Sequence, residues 1–474
     1  MAKRRTKEIT IPKLRIESIA AEGKSIARDG EYVIFVKEAV PGDVVDIRIT
    51  KKKKSFMEGY PVAYHEYSDK RVEPFCEDFG GCGGCKWQHL NYDSQLQYKQ
   101  QQVVDSLERI GRIEIGEVYP ILGSKKTRQY RNKLEFTFSN KRWLTKDEID
   151  SEKTLERNAL GFHVPRLFDK IIDIKECHLM QEPTNLIKNE IRKYALENNL
   201  SFFDIREQVG LLRTLMIRIT DFGEVMVLVQ FAEPDMTTIE KLLTHLQQTF
   251  PEITSLLYVV NQKGNDTFID QEVIKFHGKD YIIEEMNGLK FKIGPKSFYQ
   301  TNSAQAFNLY KIVVDFANFQ GDELVYDLYT GTGTIANFCA SKVKKVIGLE
   351  YVPEAIEDAK ENSKFNDIHN TDFFAGDMKN LLNDEFITKH GKPDVVITDP
   401  PRAGMHENVV DILMKVEPDK IVYVSCNPAT QARDIQLMSS KYSVEKIMSV
   451  DMFPHTHHVE NVALLELRSK MKNY

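Results

Sequence analysis

The chain has 474 residues, of which 42% are hydrophobic and 28% charged, with a formal net charge of −6. That describes an ordinary globular protein too long for a single hydrophobic core, so two or three domains are expected. No apolar run reaches the roughly 18 residues that a membrane helix needs, and no apolar stretch follows the basic start Met1-Ala2-Lys3-Arg4-Arg5, which predicts no secretory signal and a cytoplasmic address.

Residues 1–66 read as an N-terminal β-barrel of the OB-like kind. Alternating stretches such as Leu14-Arg15-Ile16, Tyr32–Val36 and Val44–Ile49 are separated by the turn signals Glu22-Gly23, Asp29-Gly30 and Pro41-Gly42. Residues 1–60 carry 14 Lys/Arg against 9 Asp/Glu, with Lys51-Lys52-Lys53-Lys54 as the densest run. A solvated surface and an RNA backbone contact explain such a run equally well.

Six cysteines are too few to staple a chain of this length. Three of them cluster as Cys76, Cys82 and Cys85, with Gly83-Gly84 letting the backbone curl between the last two, and Cys177 is the natural fourth donor. Four thiolates suit zinc or an iron–sulfur cluster, and spacing does not choose between them. A glutamine-rich helix is expected over about 93–118, packing on the C-terminal domain, within a central α+β domain spanning 72–290. In that domain Arg128-Gln129-Tyr130-Arg131-Asn132-Lys133 alternates cations with an aromatic, as an RNA-contacting strand or an ordinary exposed strand would.

The region 291–474 reads as a doubly wound α/β domain. Strands are expected at Leu324–Leu328, Val346–Leu349, 372–375, 394–398 and 421–424, each flanked by a helix, and Val444–Val450 with Val459–Leu467 closes the sheet as an antiparallel pair. Ligands of such sheets sit beyond the strand carboxyl ends. There the sequence places Gly331-Thr332-Gly333-Thr334, then Glu350 19 residues after Gly331, where an acidic side chain takes ribose hydroxyls. The third glycine of a dinucleotide loop is replaced by Ala336 and no Walker lysine is present, which points to a nucleoside cofactor without pyrophosphate, S-adenosylmethionine.

Asp399-Pro400-Pro401-Arg402 ends the fourth strand, with arginine where amine-directed methyltransferases place a stacking aromatic. Cys426 ends the fifth, followed by Asn427 as helix N-cap and Pro428 at the first helical position. A thiol there feels the positive end of the helix and is expected to have a depressed pKa. Thiolate addition to C6 of uracil would make C5 nucleophilic, after which a base must remove the C5 proton. Glu460, after the loop Phe453–Val459, is the nearest candidate. Cys339 reads as core, and His455, His457 and His458 as loop residues shaping the base pocket.

Taken together, Ser425-Cys426-Asn427-Pro428, Asp399-Pro400-Pro401-Arg402, Phe298-Tyr299-Gln300-Thr301-Asn302 and His458-Val459-Glu460 resemble the RNA uracil-5-methyltransferases, over nearly the whole chain. The resemblance implies Cys426 as nucleophile, Glu460 as base, Asp399 close to cofactor and uracil, and Gln300, Tyr329 and Glu350 as S-adenosylmethionine contacts. It also implies that the barrel is a TRAM module. Cys76, Cys82, Cys85 and Cys177 resemble the [4Fe-4S] ligands of the ribosomal-RNA branch, in preference to zinc. The implied enzyme is a monomer that methylates a uridine of 23S rRNA. A tRNA uracil methyltransferase of the same mechanism and a non-catalytic RNA-binding assembly factor are the alternatives. Gly333-Thr334 departs from relatives that place asparagine after the second glycine.

Overall fold

The computed structural model describes residues 9–151 and 155–468. The basic start Met1–Arg5 lies outside them. Strands β1 (Ile9–Ile19), β2 (Ser25–Asp29), β3 (Tyr32–Val36), β4 (Val44–Lys52) and β5 (Phe56–Glu66) close into the expected barrel, in the order β1-β2-β3-β5-β4. Alternation decides which side chains fill it: Ile34 and Val36 of β3, and Val45 and Ile47 of β4, point inward and are fully buried.

Helix α1 (Tyr92–Asp105) begins on Asn91, whose side chain accepts from the Ser94 amide, and one wider turn carries it to Ile110. Gly111 and Arg112, the latter at φ 51°, then reverse the chain. The helix therefore stops short of the expected 118. Residues Ile115–Leu122 instead form strand β6, the edge of the C-terminal sheet, parallel to its last-but-one strand. Gly116 permits that pairing, because a Cβ there would lie 2.3 Å from the Glu445 carbonyl oxygen.

The central sheet holds β7 (Lys133–Ser139), β8 (Ala159–Val164), β9 (Leu167–Asp173), β10 (Leu212–Ile219), β11 (Val225–Phe231), β12 (Ile253–Val260) and β13 (Ile274–Gly278), in the order β13-β12-β11-β10-β7-β8-β9. Alpha helices follow as α2 (Lys146–Ile149), α3 (Thr184–Glu197) and α4 (Met236–Thr249). Period-two alternation splits β11 between two cores. Val225, Val227 and Val229 pack against Ile191 of α3 and Leu243 of α4, while Met226 and Leu228 join Tyr299, Leu309 and Val325 of the C-terminal part. The central sheet is thus sandwiched, and its second face shares one core with the C-terminal part.

A hairpin, β14 (Ile282–Met286) and β15 (Leu289–Ile293), straddles the expected boundary at 290/291 and packs into that shared core. Beyond it come α5 (Ser303–Ala317), β16 (Leu324–Leu328), α6 (Thr334–Ala340), β17 (Lys345–Glu350), α7 (Pro353–Phe365), β18 (Thr371–Ala375), α8 (Met378–Leu381), α9 (Asp384–His390), β19 (Val395–Thr398), α10 (Glu407–Val416), β20 (Lys420–Ser425), α11 (Pro428–Met438), β21 (Tyr442–Val450) and β22 (Glu460–Leu467). The sheet order is β18-β17-β16-β19-β20-β22-β21-β6, parallel from β18 to β20 and closed by the antiparallel β20–β22–β21. No helix among the described residues is long and apolar enough to cross a membrane.

Candidate active site

Strand register builds the site. Leu328 of β16 pairs with Leu349 and with Thr398, so Tyr329, Glu350 and Asp399, one residue on, emerge together at the carboxyl edge. On the other side Ser425 of β20 pairs with Asn461 of β22, which sets Cys426 opposite Glu460 across an antiparallel pair. Four chemically distinct strand ends therefore share one rim.

The glycine loop has the geometry of a cradle. Gly331 and Gly333 take φ of 55° and 74°, and a Cβ on Gly333 would lie 2.9 Å from the Ala359 Cβ. Tyr329 itself sits at φ 63°, a conformation uncommon for any residue but glycine. Glu350 accepts from the Gly331 amide at 3.2 Å and from the Val352 amide at 3.0 Å, which ties the carboxylate to the loop it faces. Gln300 is half-buried, and its carbonyl accepts from the Asn132 side chain at 3.0 Å.

Electrostatics overturn one expectation. Asn427 caps α11 as predicted, accepting from the Ala429 amide, and its side chain also donates to the Arg402 carbonyl at 3.0 Å. Yet the Cys426 thiol is pushed up to about 11, not down. Burial contributes most, then the carboxyls of Glu460 and Asp399, and only Arg402 and the local backbone oppose them. Desolvation and two carboxyls act directly on the sulfur, and neither is local to the helix that follows it. Burial also raises Asp399 to about 7, and it raises Glu460 well above the ordinary carboxylate range, with Asp399 adding to it.

The sequence reading missed several residues of the same neighbourhood. Asp327 is fully buried, its pKa raised by burial to about 7; one oxygen takes the Thr330 hydroxyl at 2.5 Å and the other has no partner. Asp434 on α11 accepts from the Tyr423 hydroxyl at 2.6 Å and the Met405 amide at 2.8 Å, clamping the chain that follows Arg402. Only burial at a helical spacing from the cap would have singled it out.

The loop between β21 and β22 is held from every side. Asp451 pairs with Lys99 at 2.6 Å and accepts from the Tyr92 hydroxyl at 2.8 Å, with both charged side chains fully buried. Phe453 offers its carbonyl to Lys99, Pro454 its carbonyl to the Tyr130 hydroxyl, and the His455 amide donates to Gln95. The His455 carbonyl accepts from the amides of Lys86 and Trp87, directly after Cys85. Burial pushes His455 and His458 down to about 4, so both are neutral at physiological pH. Gln95 and Lys99, four residues apart on the buried face of α1, are a polar pair visible in the sequence in principle.

The segment Arg128–Lys133 is a junction, not an open basic strip. Tyr130 and Asn132 are buried, Arg128 stacks 3.8 Å from the Phe75 ring centroid, and Arg131 lies 5.5 Å from that of Phe453. Cys339 is fully buried as expected.

The four remaining cysteines converge. Cys76, Cys82, Cys85 and Cys177 line one cavity of about 480 Å³ whose walls include Phe75, Phe79, Phe162, Arg131 and Gln88. None forms a disulfide. Burial lifts Cys82 to about 12 and Cys177 to about 11, so as free thiols they hold their protons at neutral pH. Among the described residues no three ligating groups converge on a single ion-sized point.

Comparison with known proteins matches this geometry. A family model described as tRNA (Uracil-5-)-methyltransferase matches residues 259–468, and the TRAM domain matches residues 3–62. A Bacteroides thetaiotaomicron protein named an uncharacterized RNA methyltransferase is 59% identical over 95% of this chain and 100% of its own length. A Porphyromonas gingivalis protein of the same name is 56% identical over 95% and 99%. Among solved structures, the Pyrococcus abyssi tRNA (uracil-54, C5)-methyltransferase in complex with S-adenosyl-L-homocysteine is 29% identical, covering 95% of this chain and 99% of that one at a TM-score of 0.73. The chain belongs to the RNA uracil-5-methyltransferase family. Its barrel is accordingly a TRAM domain, its C-terminal sheet a methyltransferase fold that uses S-adenosylmethionine, and its substrate an RNA.

Proposed function

We propose that this enzyme methylates C5 of a uridine in 23S ribosomal RNA through a transient bond between the Cys426 sulfur and C6 of the base. The observation that carries the chemistry is the strand register that sets Cys426 opposite Glu460, with Asp399 near enough to both to raise their pKa values. The sulfur bonds to C6 and its proton passes to Asp399, the carboxyl poised at about 7. That addition breaks the C5=C6 π bond and leaves its electron pair on C5; Gln300, Tyr329, Gly331, Gly333 and Glu350 would hold S-adenosylmethionine, whose sulfonium would supply the methyl group to that pair and leave as the thioether S-adenosylhomocysteine. Glu460 then takes the C5 proton, the electron pair of that C–H bond restores C5=C6, and the departing Cys426 sulfur recovers its proton from Asp399. The target base must be unstacked to enter, at a cost of about a few kcal/mol.

In this reading the barrel and the central part up to about 290 hold RNA while residues 291–474 carry out transfer. The ribosomal assignment rests on the pairing of a TRAM barrel with four cysteines, which resembles the ribosomal-RNA branch. Those thiols suit a [4Fe-4S] cluster: all four line one largely apolar cavity of about 480 Å³, and buried protonated thiols release their protons on binding a metal centre. Such a cluster would hold the segment whose Lys86 and Trp87 amides grip the catalytic loop. Transfer RNA is the second reading, favoured by the likeness to the Pyrococcus abyssi enzyme.

Glu460→Gln tests the mechanism, because a base-less enzyme should accumulate a covalent protein–RNA adduct on denaturing gels, whereas Cys426→Ala should form none. Absence of adduct in Glu460→Gln would rule out its role as base. Mapping 5-methyluridine in rRNA and tRNA from a deletion strain separates the two substrates. Anaerobically purified protein should contain iron and sulfide, both lost in Cys82→Ser, and zinc in their place would overturn the cluster.

A further inference from the structure

We infer that Lys24, Lys51 and Arg166 form one composite phosphate-binding site, organised by Glu58 at the seam between the barrel and the central sheet, which grips the RNA backbone near the catalytic loop. It rests on RNA being the substrate and is independent of the covalent chemistry.

Three cations from three segments converge on one carboxylate. Lys24 precedes β2, Lys51 lies on β4, and Arg166 is the tip of the β8–β9 hairpin; they stand 3.9, 3.2 and 3.7 Å from Glu58. Glu58 is mostly covered while Lys51 and Arg166 remain largely exposed, at 49% and 63% of their side-chain surface. The carboxylate therefore spaces the cations without neutralising them. Lys86 adds a fourth charge, its ammonium on the Glu22 carbonyl at 3.2 Å, and Glu22 is the second carboxylate, 3.9 Å from Lys24. Four cations against two carboxylates leave a local excess that fits a phosphodiester and not a further acidic side chain.

Two features separate this cluster from an ordinary charged surface. Arg166 occupies the second place of a two-residue turn at φ 71°, a conformation that glycine or asparagine adopts more readily. An arginine held there by a strained backbone points to use of its head group. Aromatic rings also interleave with the cations: Lys24 lies 5.8 Å from the Phe35 ring and Lys51 5.6 Å from that of Phe56, and the two rings meet edge to face at 5.7 Å. Cations alternating with aromatic rings suit a nucleic-acid strand.

Contacts run unbroken from this cluster to the reacting groups. Pro165 packs beside Gly83 of the cysteine loop, and Gly23, next to Glu22, lies against the His457 side chain and the Trp87 indole. The Trp87 and Lys86 amides bond the His455 carbonyl, and the loop then ends at Glu460. A phosphate held on Lys24, Lys51 and Arg166 would thus lie a fixed number of nucleotides from the methylated base, so neither the barrel nor the central sheet could set that distance alone.

Fluorescein-labelled (U)15 and (A)15, titrated with cofactor-free protein between 50 and 300 mM KCl, test the site. Each of Arg166→Gly, which also relaxes the turn, and Lys51→Ala should weaken both oligomers about five-fold at 100 mM KCl and reduce the slope of log K against log salt by about 0.7. Glu58→Gln should act in the opposite direction, tightening binding and steepening the slope. S-adenosylhomocysteine affinity, unchanged in all three, certifies the fold. Variants that bind both oligomers like wild type, or that lose affinity for one base only, overturn the composite site. Failure of the wild-type protein to bind either oligomer would instead overturn the RNA reading itself.

Discussion

The raised pKa of Cys426 makes a prediction contrary to the usual picture of an activated cysteine. With its thiol at about 11, the free enzyme at pH 7.5 holds only about 3 × 10⁻⁴ of this residue as thiolate, against about one tenth for a thiol of ordinary pKa near 8.5. A more basic thiolate is intrinsically more nucleophilic, which returns about one order of magnitude. Alkylation of Cys426 by iodoacetamide should therefore run about 30-fold slower than that of an unperturbed thiol at pH 7.5, and should still be rising at pH 10. Asp399→Asn and Glu460→Gln each remove a carboxyl that raises the thiol, so both should shift the profile to lower pH, while Arg402→Ala should shift it higher. The assay is mass spectrometry of the peptide containing Cys426 after timed alkylation from pH 6 to 10.5. A half-maximal rate at or below pH 8.5 in the wild-type enzyme would refute the argument.

The carboxyls of the same rim predict how the cofactor binds. Asp399 and Asp327 sit at about 7 against an ordinary value near 4, so between those values the free protein holds protons that a bound sulfonium would displace. S-adenosylmethionine affinity should then rise from pH 6 to 8 by calorimetry, while the uncharged thioether S-adenosylhomocysteine shows a flatter profile; equal pH dependence would show that the sulfonium does not face these groups. The same raised values stabilise the cofactor-free fold most below about pH 4, and that contribution is lost as pH rises from about 4 to about 7, so its Tm should fall over that range and level off above it. Lys99→Met leaves Asp451 buried without its cation and should cost about 3–5 kcal/mol in urea unfolding. A loss below about 1 kcal/mol would show that water reaches the pair.

Much of the molecule was legible because periodicity and punctuation agree. Barrel strands alternate around their glycine turns, and the strand-end residues Tyr329, Glu350, Asp399 and Cys426 follow from counting along parallel strands. What failed was what depends on distant chain. Ile115–Val118 was expected to end a helix, and pairing with β21 makes it the start of a strand that runs to Leu122. Cys426 looked activated because the helix behind it is local, whereas the carboxyls that oppose it come from β19 and β22. Arg128–Lys133 fitted an RNA-contacting strand and an ordinary exposed strand alike, and nothing in its own composition shows that Tyr130 and Asn132 would be buried while Arg128 stacks on Phe75.

The loop from Asp451 to Val459 explains why this chemistry needs the whole chain. Its residues are bonded to α1 through Gln95 and Lys99, to the cysteine segment through Lys86 and Trp87, to the central part through Tyr130, and to α5 through Asn302 and Gln305, which donate to the Met452 and Asp451 carbonyls. It joins β21 to β22, and Glu460, the first residue of β22, enters the sheet beside the strand that leads to Cys426. A C-terminal fragment would keep the cysteine, the glycine cradle and the α5 contacts, yet the loop would lose its bonds to α1, to the cysteine segment and to Tyr130. In the proposed mechanism, coupling of this kind makes proton abstraction from C5, more than attack at C6, the step most exposed to changes in the barrel and the central part. Substitutions at the seam between barrel and cysteine loop should therefore lengthen the life of the covalent adduct before they reduce its formation.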